Sequence, residues 1–238
     1  MIWHTVSMKA ASLRARIRAE MTDEIKAVAL RHLATDGANL SLRAVARDLG
    51  MASSAVYRYF ASRDELLTAI IIDAYDHLGA TAEAVPRDGS YPEQWLAVCH
   101  AVREWALANV HQWALIYGSP VPGYQAPNDT ISSATRVVLT LARIVQDAAA
   151  AGQADAGEPV TGPLAEDLQA VASFAGPAVA PQLAGRTMAG WLQLNGAISA
   201  ELFGQLNNTI TARREFFEFQ MRGTASWIGL SEVGLRES

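Results

Sequence analysis

The 238-residue chain is nearly without cysteine. Cys99 is the single one, so no internal disulfide can form, and a reducing, cytoplasmic setting is expected. Long apolar runs are absent too. The stretch 66–72, LLTAIII, falls far short of the roughly 18 residues a membrane helix needs. The first twenty residues contain neither the apolar core nor the small-residue cleavage site of a secretory signal. Cys99-His100 has no further residue at metal-ligand spacing, so no metal is expected. No serine sits in a nucleophile elbow, and no glycine-rich phosphate loop follows a strand pattern, so neither a catalytic set nor a cofactor is expected. Strand-like alternation and internal repeats are also lacking.

What is present is apolar residue content of one half and helical periodicity along the whole chain, which together predict an all-α globular protein. Charge is uneven. Residues 1–65 hold ten Lys plus Arg against seven Asp plus Glu, a net +3, and residues 66–238 hold nine against seventeen, a net −8. A basic end on an acidic body suits a chain that meets phosphate with one end only.

The pattern centres on residues 41–60, SLRAVARDLGMASSAVYRYF. Leu42, Val45, Ala46 and Leu49 form one apolar helical face, and Gly50 supplies the stop. Ser53 is placed to cap a second helix, with Val56 and Phe60 facing inward. Two short helices around a tight turn are the device that lays a second helix in the DNA major groove.

Before this unit, residues 1–8 read as a loose extension and 11–35 as helix. Leu13, Ile17, Met21, Ile25, Val28, Ala29 and Leu33 make one inward stripe there, and Arg14, Arg16 and Arg18 sit at its start, either near a DNA backbone or simply solvated. After it, Ser62-Arg63-Asp64-Glu65 and Ser90-Tyr91-Pro92-Glu93 are capping boxes that open two long helices. The first, to about residue 84, is read as the mechanical link between the DNA reader and the body. Further helices are predicted over 111–117, 130–151, 164–174, 182–205 and 211–228, with Gly/Pro-rich loops at 118–124 and 152–162. The expected division is 9–60 for DNA binding and 61–238 for ligand binding and dimerisation.

Leu42-Arg43-Ala44-Val45-Ala46, Leu49-Gly50-Met51, Tyr57-Arg58-Tyr59-Phe60 and Ser62-Arg63-Asp64-Glu65-Leu66-Leu67 resemble the DNA-binding domain of the TetR family of repressors. The body resembles the branch with a Trp-His-Gly type C-terminal domain, through Trp105 to Ala108, Tyr117 to Tyr124, and Gly190-Trp191 onward to Gly204. Asn195 stands where that branch usually carries histidine, leaving no ionisable ring there. The resemblance implies a homodimer on a palindromic double-stranded operator, a small-molecule pocket in each body, and release from DNA when the ligand binds.

On that resemblance, Arg43 reaches a base edge, and Ser53, Ser54 and Ala55 let the recognition helix approach the bases. Tyr57, Tyr59 and Arg63 hold phosphate, as Ser41 can through its hydroxyl, while Arg58 fits either base or phosphate. Trp95, Trp105, Trp113, Tyr117, Tyr124, Trp191 and Asn195 are candidate pocket residues, with His100 and His111 as candidate orienting groups. Aromatic walls with few polar groups suit an apolar or aromatic effector, although rings of this kind also simply fill cores. Leu192, Ile198, Leu202, Phe216, Phe219 and Trp227 provide apolar surface for a four-helix dimer contact. The competing function is a helical carrier or enzyme whose N-terminal helices are purely structural.

Overall fold

The computed structural model describes residues 2–36, 40–175 and 179–230, with side chains from Leu13 onward apart from 36 and 174–175. Among these residues the regular structure is helical: α1 (Ile2–Asp36), α2 (Leu42–Asp48), α3 (Ser53–Val56), α4 (Arg63–Glu83), α5 (Tyr91–Ala108), α6 (Val110–Tyr117), α7 (Ile131–Ala134), α8 (Arg136–Ala150), α9 (Pro163–Ala175), α10 (Pro181–Leu202) and α11 (Arg213–Ile228). A 3₁₀ turn, Asn128–Thr130, precedes α7. None of these helices is long and apolar enough to cross a membrane.

The chain forms two compact units. One holds residues up to Asp73 together with 119–130; the other holds 74–118 and 131 onward, so α4 contributes to both. In the first unit, Ile25, Val28 and Ala29 of α1, Leu42, Val45 and Ala46 of α2, and Val56, Phe60, Leu66 and Leu67 are buried. This is the core the apolar spacing predicts, with two corrections in α1. The helix begins at Ile2, where the residue pattern predicts a loose extension. The inward stripe also starts later than its spacing suggests, because Leu13 and Ile17 are about half exposed (47% and 51%). Helical periodicity marks a face but does not say whether another element covers it.

The second unit is built around α5. Trp95, Val98, Cys99, Val102 and Trp105 are buried where α5 packs on α8, α10 and α11, and Trp113 of α6 joins the same core. Burial pushes the Cys99 thiol well above its ordinary range, so it stays protonated as a small apolar filler. The single helix predicted over 130–151 is divided at Thr135, whose hydroxyl donates back to the Ile131 carbonyl (2.9 Å). Backbone bonding by a threonine hydroxyl competes with the regular ladder and favours such a break.

The capping box at Ser90 forms, and the one at Ser62 forms in a shifted version. The Glu65 N–H donates to Ser62 Oγ (3.1 Å), while the Glu65 carboxylate accepts from the Ala61 N–H (2.6 Å), one residue before the usual partner. At α5, the Ser90 N–H and hydroxyl both donate to Glu93 Oε2 (2.7 and 2.8 Å) and hold that carboxyl below its ordinary range. A depressed carboxyl contributes stability above its unfolded pKa and loses it as pH falls through the folded value. Acid titration of a Glu93→Gln variant should therefore lack one step present in the parent.

Gly190 sets the closeness of α10 to its neighbours. A Cβ there would lie 2.6 Å from Ile228 Cδ1 and 3.1 Å from both Thr224 Cγ2 and Trp95 Cη2. Gly190→Ala should destabilise the protein by about 1–3 kcal/mol despite alanine's better helix propensity, measured by urea unfolding.

Candidate functional site

The DNA-reading candidate is built on two short helices that the first unit's core fixes from behind. Gly50 takes φ +65° in the turn, with nothing near the position of a Cβ, so backbone conformation and not space calls for glycine there. Ala52, in extended conformation, occupies the cap position of α3, and Ser53 is already its first residue. The expected capping role of Ser53 is thereby corrected. The α-helical part of the recognition segment is a single turn, continued through Phe60 by bonds such as the Tyr59 N–H to the Val56 carbonyl (2.9 Å).

Ser41, Arg43, Ser54, Tyr57 and Arg58 are exposed; Ser53, Ala55, Tyr59 and Arg63 are half-buried. Tyr57 keeps 48% of its surface, whereas its neighbour Val56 keeps none, so the segment shows one face to solvent and one to the core. Arg63 Nη1 lies 3.5 Å from Asp64 Oδ1.

Three braces escape a reading based on motif. Arg18 donates to the Arg58 carbonyl (3.2 Å) and lies over the Tyr59 ring at 5.1 Å, tying α1 to the recognition segment. The His32 Nε2 to Asp48 Oδ2 contact at 2.7 Å joins α1 to α2 and holds the Asp48 carboxyl below its ordinary range. Lys26 bridges Asp23 (2.9 Å) and Asp73 (2.6 Å), which joins α1 to α4. Each pairs residues far apart in the sequence, apart from Asp23 with Lys26, and no local pattern announces them.

The aromatic residues do not form one chamber. Tyr117 gathers Trp113, Tyr75 and Trp191 around it at centroid distances of 4.6, 5.9 and 6.0 Å. Trp95 and Trp113 have no exposed surface, and Trp113 Nε1 donates to Ser199 Oγ (3.1 Å). Trp105 is buried, and its carbonyl accepts from the Asn109 side chain (2.8 Å). The Asn195 amide donates to the Trp191 carbonyl one turn back (2.9 Å). His100 stacks edgewise on Phe217 at 5.4 Å, its Nδ1 is buried without a partner, and burial lowers its pKa. His111 is exposed. Tyr124 belongs to the first unit, where its hydroxyl lies 2.9 Å from Thr68 Oγ1.

A cavity of about 300 Å³ lies elsewhere in the second unit. Val138, Leu139 and Ala142 of α8, Val171 of α9, and Ala184 and Met188 of α10 line it. Its polar groups are the hydroxyls of Thr135 and Thr187, both donating to helix carbonyls. None of the aromatic candidates lines it. The sequence nonetheless carries a signal: α8 has Val138 and Leu139 outside the buried row of Val137, Leu141, Ile144, Val145 and Ala148, so its apolar surface is wider than one core contact requires.

On α10 and α11, Leu192, Phe219 and Trp227 are 57%, 73% and 55% exposed, and Phe216 and Leu202 are half-buried. Ile198 is a correction: it has no exposed surface within its own chain and belongs to the core, so it has nothing left to offer a second subunit.

A family model described as "Bacterial regulatory proteins, tetR family" matches residues 25–70, and one described as "Tetracyclin repressor-like, C-terminal domain" matches 95–224, more than half the chain. The chain belongs to the TetR family. The first match takes in Arg43, Ser54, Tyr57 and Arg63; the second takes in Trp95, the cavity walls and most of α11. Curated relatives agree with this membership. The HTH-type transcriptional regulators Rv1816 of Mycobacterium tuberculosis and Mb1846 of Mycobacterium bovis are each 41% identical over 195 residues, covering 79% of this chain and 83% of theirs. The crystal structure of the regulatory protein SCO4313 superposes with a TM-score of 0.74 at 32% identity, over 89% of this chain and 98% of that one. A structure from Rhodococcus sp. RHA1, at 23% identity and a TM-score of 0.62, covers 89% and 95% and shares the fold.

Proposed function

We propose that this TetR-family regulator is a homodimeric, cytoplasmic repressor, released from a palindromic operator by a small apolar or aromatic effector. Residues 9–60 read the DNA in this proposal, and 61–238 bind the effector and dimerise. The observation that carries the reading is the exposure of Arg43 on α2, Ser54 on α3, and Tyr57 and Arg58 in the turn that continues it, while the other faces of this segment are core. Arginine suits bidentate bonding to guanine, small residues allow close approach, and a tyrosine hydroxyl suits phosphate.

Exposed apolar rings on α10 and α11 support the dimer. Phe219 and Trp227, spaced eight residues apart, share one helical face, and a groove lined by Gln193, Phe219, Arg222, Gly223 and Trp227 runs beside them. Two copies joined here would carry two reading helices, which must enter grooves about 34–36 Å apart to grip one palindrome. Phe219→Glu tests this. Sedimentation should show the parent as a dimer and the variant as a monomer, and operator affinity should fall at least about tenfold as bivalency is lost. A monomeric parent, or a variant that dimerises as before, would contradict the assignment.

A further inference from the structure

The cavity between α8, α9 and α10 is fixed by its walls to a narrow chemistry. Among its lining residues none is charged. Thr135 Oγ1 donates to the Ile131 and Ser132 carbonyls (2.9 and 3.2 Å), and Thr187 Oγ1 donates to Leu183 (2.8 Å). With their protons committed to the backbone, both hydroxyls can only accept from a guest. The walls offer an ionised group no countercharge, so a charged end drawn in against them would lose hydration without compensation, and a neutral guest is favoured. At about 30 Å³ for each small group, the volume suits a guest of roughly ten heavy atoms.

The residue after Thr135 leads away from the cavity to α4. Arg136, the first residue of α8, donates through Nε and Nη2 to the two oxygens of Glu83 (2.9 and 2.6 Å). Its Nη1 donates to the Asp76 carbonyl and carboxylate, both at 3.0 Å. The side chain crosses α4 over Gly79, where a Cβ would come within 2.7 Å of Arg136 Cβ and Nε. A glycine therefore sits on α4 where the arginine must pass, with an acidic residue on either side of it. The cap and first residue of α8 thus carry, in succession, a cavity wall and a three-point clamp. The clamped helix is the one whose first part, Arg63 to Asp73, belongs to the DNA-reading unit.

We propose that this cavity, and not the Trp113–Tyr117–Trp191 cluster, is the effector chamber, that it takes a neutral and largely hydrocarbon molecule with at most two hydrogen-bond donors, and that Arg136 transmits its occupancy to α4. The proposal rests on the reading of the chain as an effector-released repressor. A guest acts only through its preference for one of two states, and in this proposal those states differ in whether the clamp is closed.

The test uses the full chain with decan-1-ol and 1-naphthol as neutral probes and decanoate as the charged match, followed by calorimetry. At least one neutral probe should bind, and decanoate should bind at least about tenfold more weakly than decan-1-ol. Ala142→Trp, and independently the milder Val171→Phe on α9, should abolish neutral-probe binding, while Trp191→Phe should leave it unchanged. Arg136→Met keeps the aliphatic stem over Gly79 and removes the clamp. It should still bind the probe, but the probe should no longer alter operator affinity or hydrogen exchange across α4, both of which it changes in the parent. Exchange gives the answer even for a variant that fails to bind DNA. Failure of both neutral probes to bind, equal binding of decanoate, binding that survives both blocking variants, or an undiminished response in Arg136→Met would each overturn the proposal. A parent that binds probe as described, changes exchange in α4, but never binds operator would leave the chamber standing and remove the repressor reading instead.

Discussion

Glu201→Leu should lower stability by about 3–5 kcal/mol, because it strands a buried guanidinium. Arg103 of α5 and Glu201 of α10 meet through two bonds of 2.7 and 2.6 Å, with side chains only 9% and 8% exposed. The Arg103 guanidinium also lies over the Phe217 ring at 5.4 Å, and the Glu201 carbonyl accepts from Arg213 (3.1 Å), so the pair joins α5, α10 and α11. For a chain of this size such a loss corresponds to a fall in Tm of about 6–20 °C. The asymmetry between single and double replacement is the informative part. Arg103→Met with Glu201→Leu removes both charges, leaves neither uncompensated, and should recover most of the loss. Urea unfolding of the parent, both single variants and the double variant closes the cycle. A double variant no better than the worse single one would mean that the pair acts through packing and not through charge.

Arg43→Ala should weaken binding to the chain's own operator by about 1–3 kcal/mol, or roughly 5–150-fold, and relax preference at one base pair in each half-site. Tyr57→Phe should behave differently. Loss of a phosphate bond weakens all sequences alike and leaves the ranking of operator variants unchanged. Arg58 is decided by the same comparison, since a base contact changes the ranking and a phosphate contact does not. Fluorescence anisotropy against a panel of single-base operator variants separates the outcomes. Arg43→Ala weakening specific and scrambled DNA equally would remove the base contact.

The parts of this protein carried by short-range pattern are legible in its sequence. The glycine stop at Gly50, the serine-led caps at Ser62 and Ser90 and the apolar rows of α4 and α5 each lie within a few residues of one another, so local physics fixes them. The family resemblance, carried by residues 42–67, is legible for the same reason. What escapes is set by distance or by packing. Arg103 and Glu201 are ninety-eight residues apart, and Arg136 and Glu83 fifty-three. A sequence names such partners as charged residues and gives no sign that they meet. The aromatic residues mislead in a more instructive way. Trp95 and Trp113 are wide enough to wall a pocket and equally suited to fill a core, and both are fully buried. The cavity is instead lined by valine, leucine, alanine, methionine and threonine, residues too common to single out. Exposure is ambiguous for a similar reason: Ile198 and Leu192 sit on one helix six residues apart, and only the surrounding helices decide that the first is core and the second is surface.

DNA recognition by a symmetric pair of chains is tested most directly by titrating the purified protein against a labelled palindrome from its own upstream region, repeated from about 50 to about 300 mM salt. Two chains should bind per palindrome, log affinity should fall steeply and linearly with log salt as phosphate counterions are released, and a scrambled duplex should bind much more weakly. Equal affinity for palindrome and scramble, or one chain saturating each site, would contradict it.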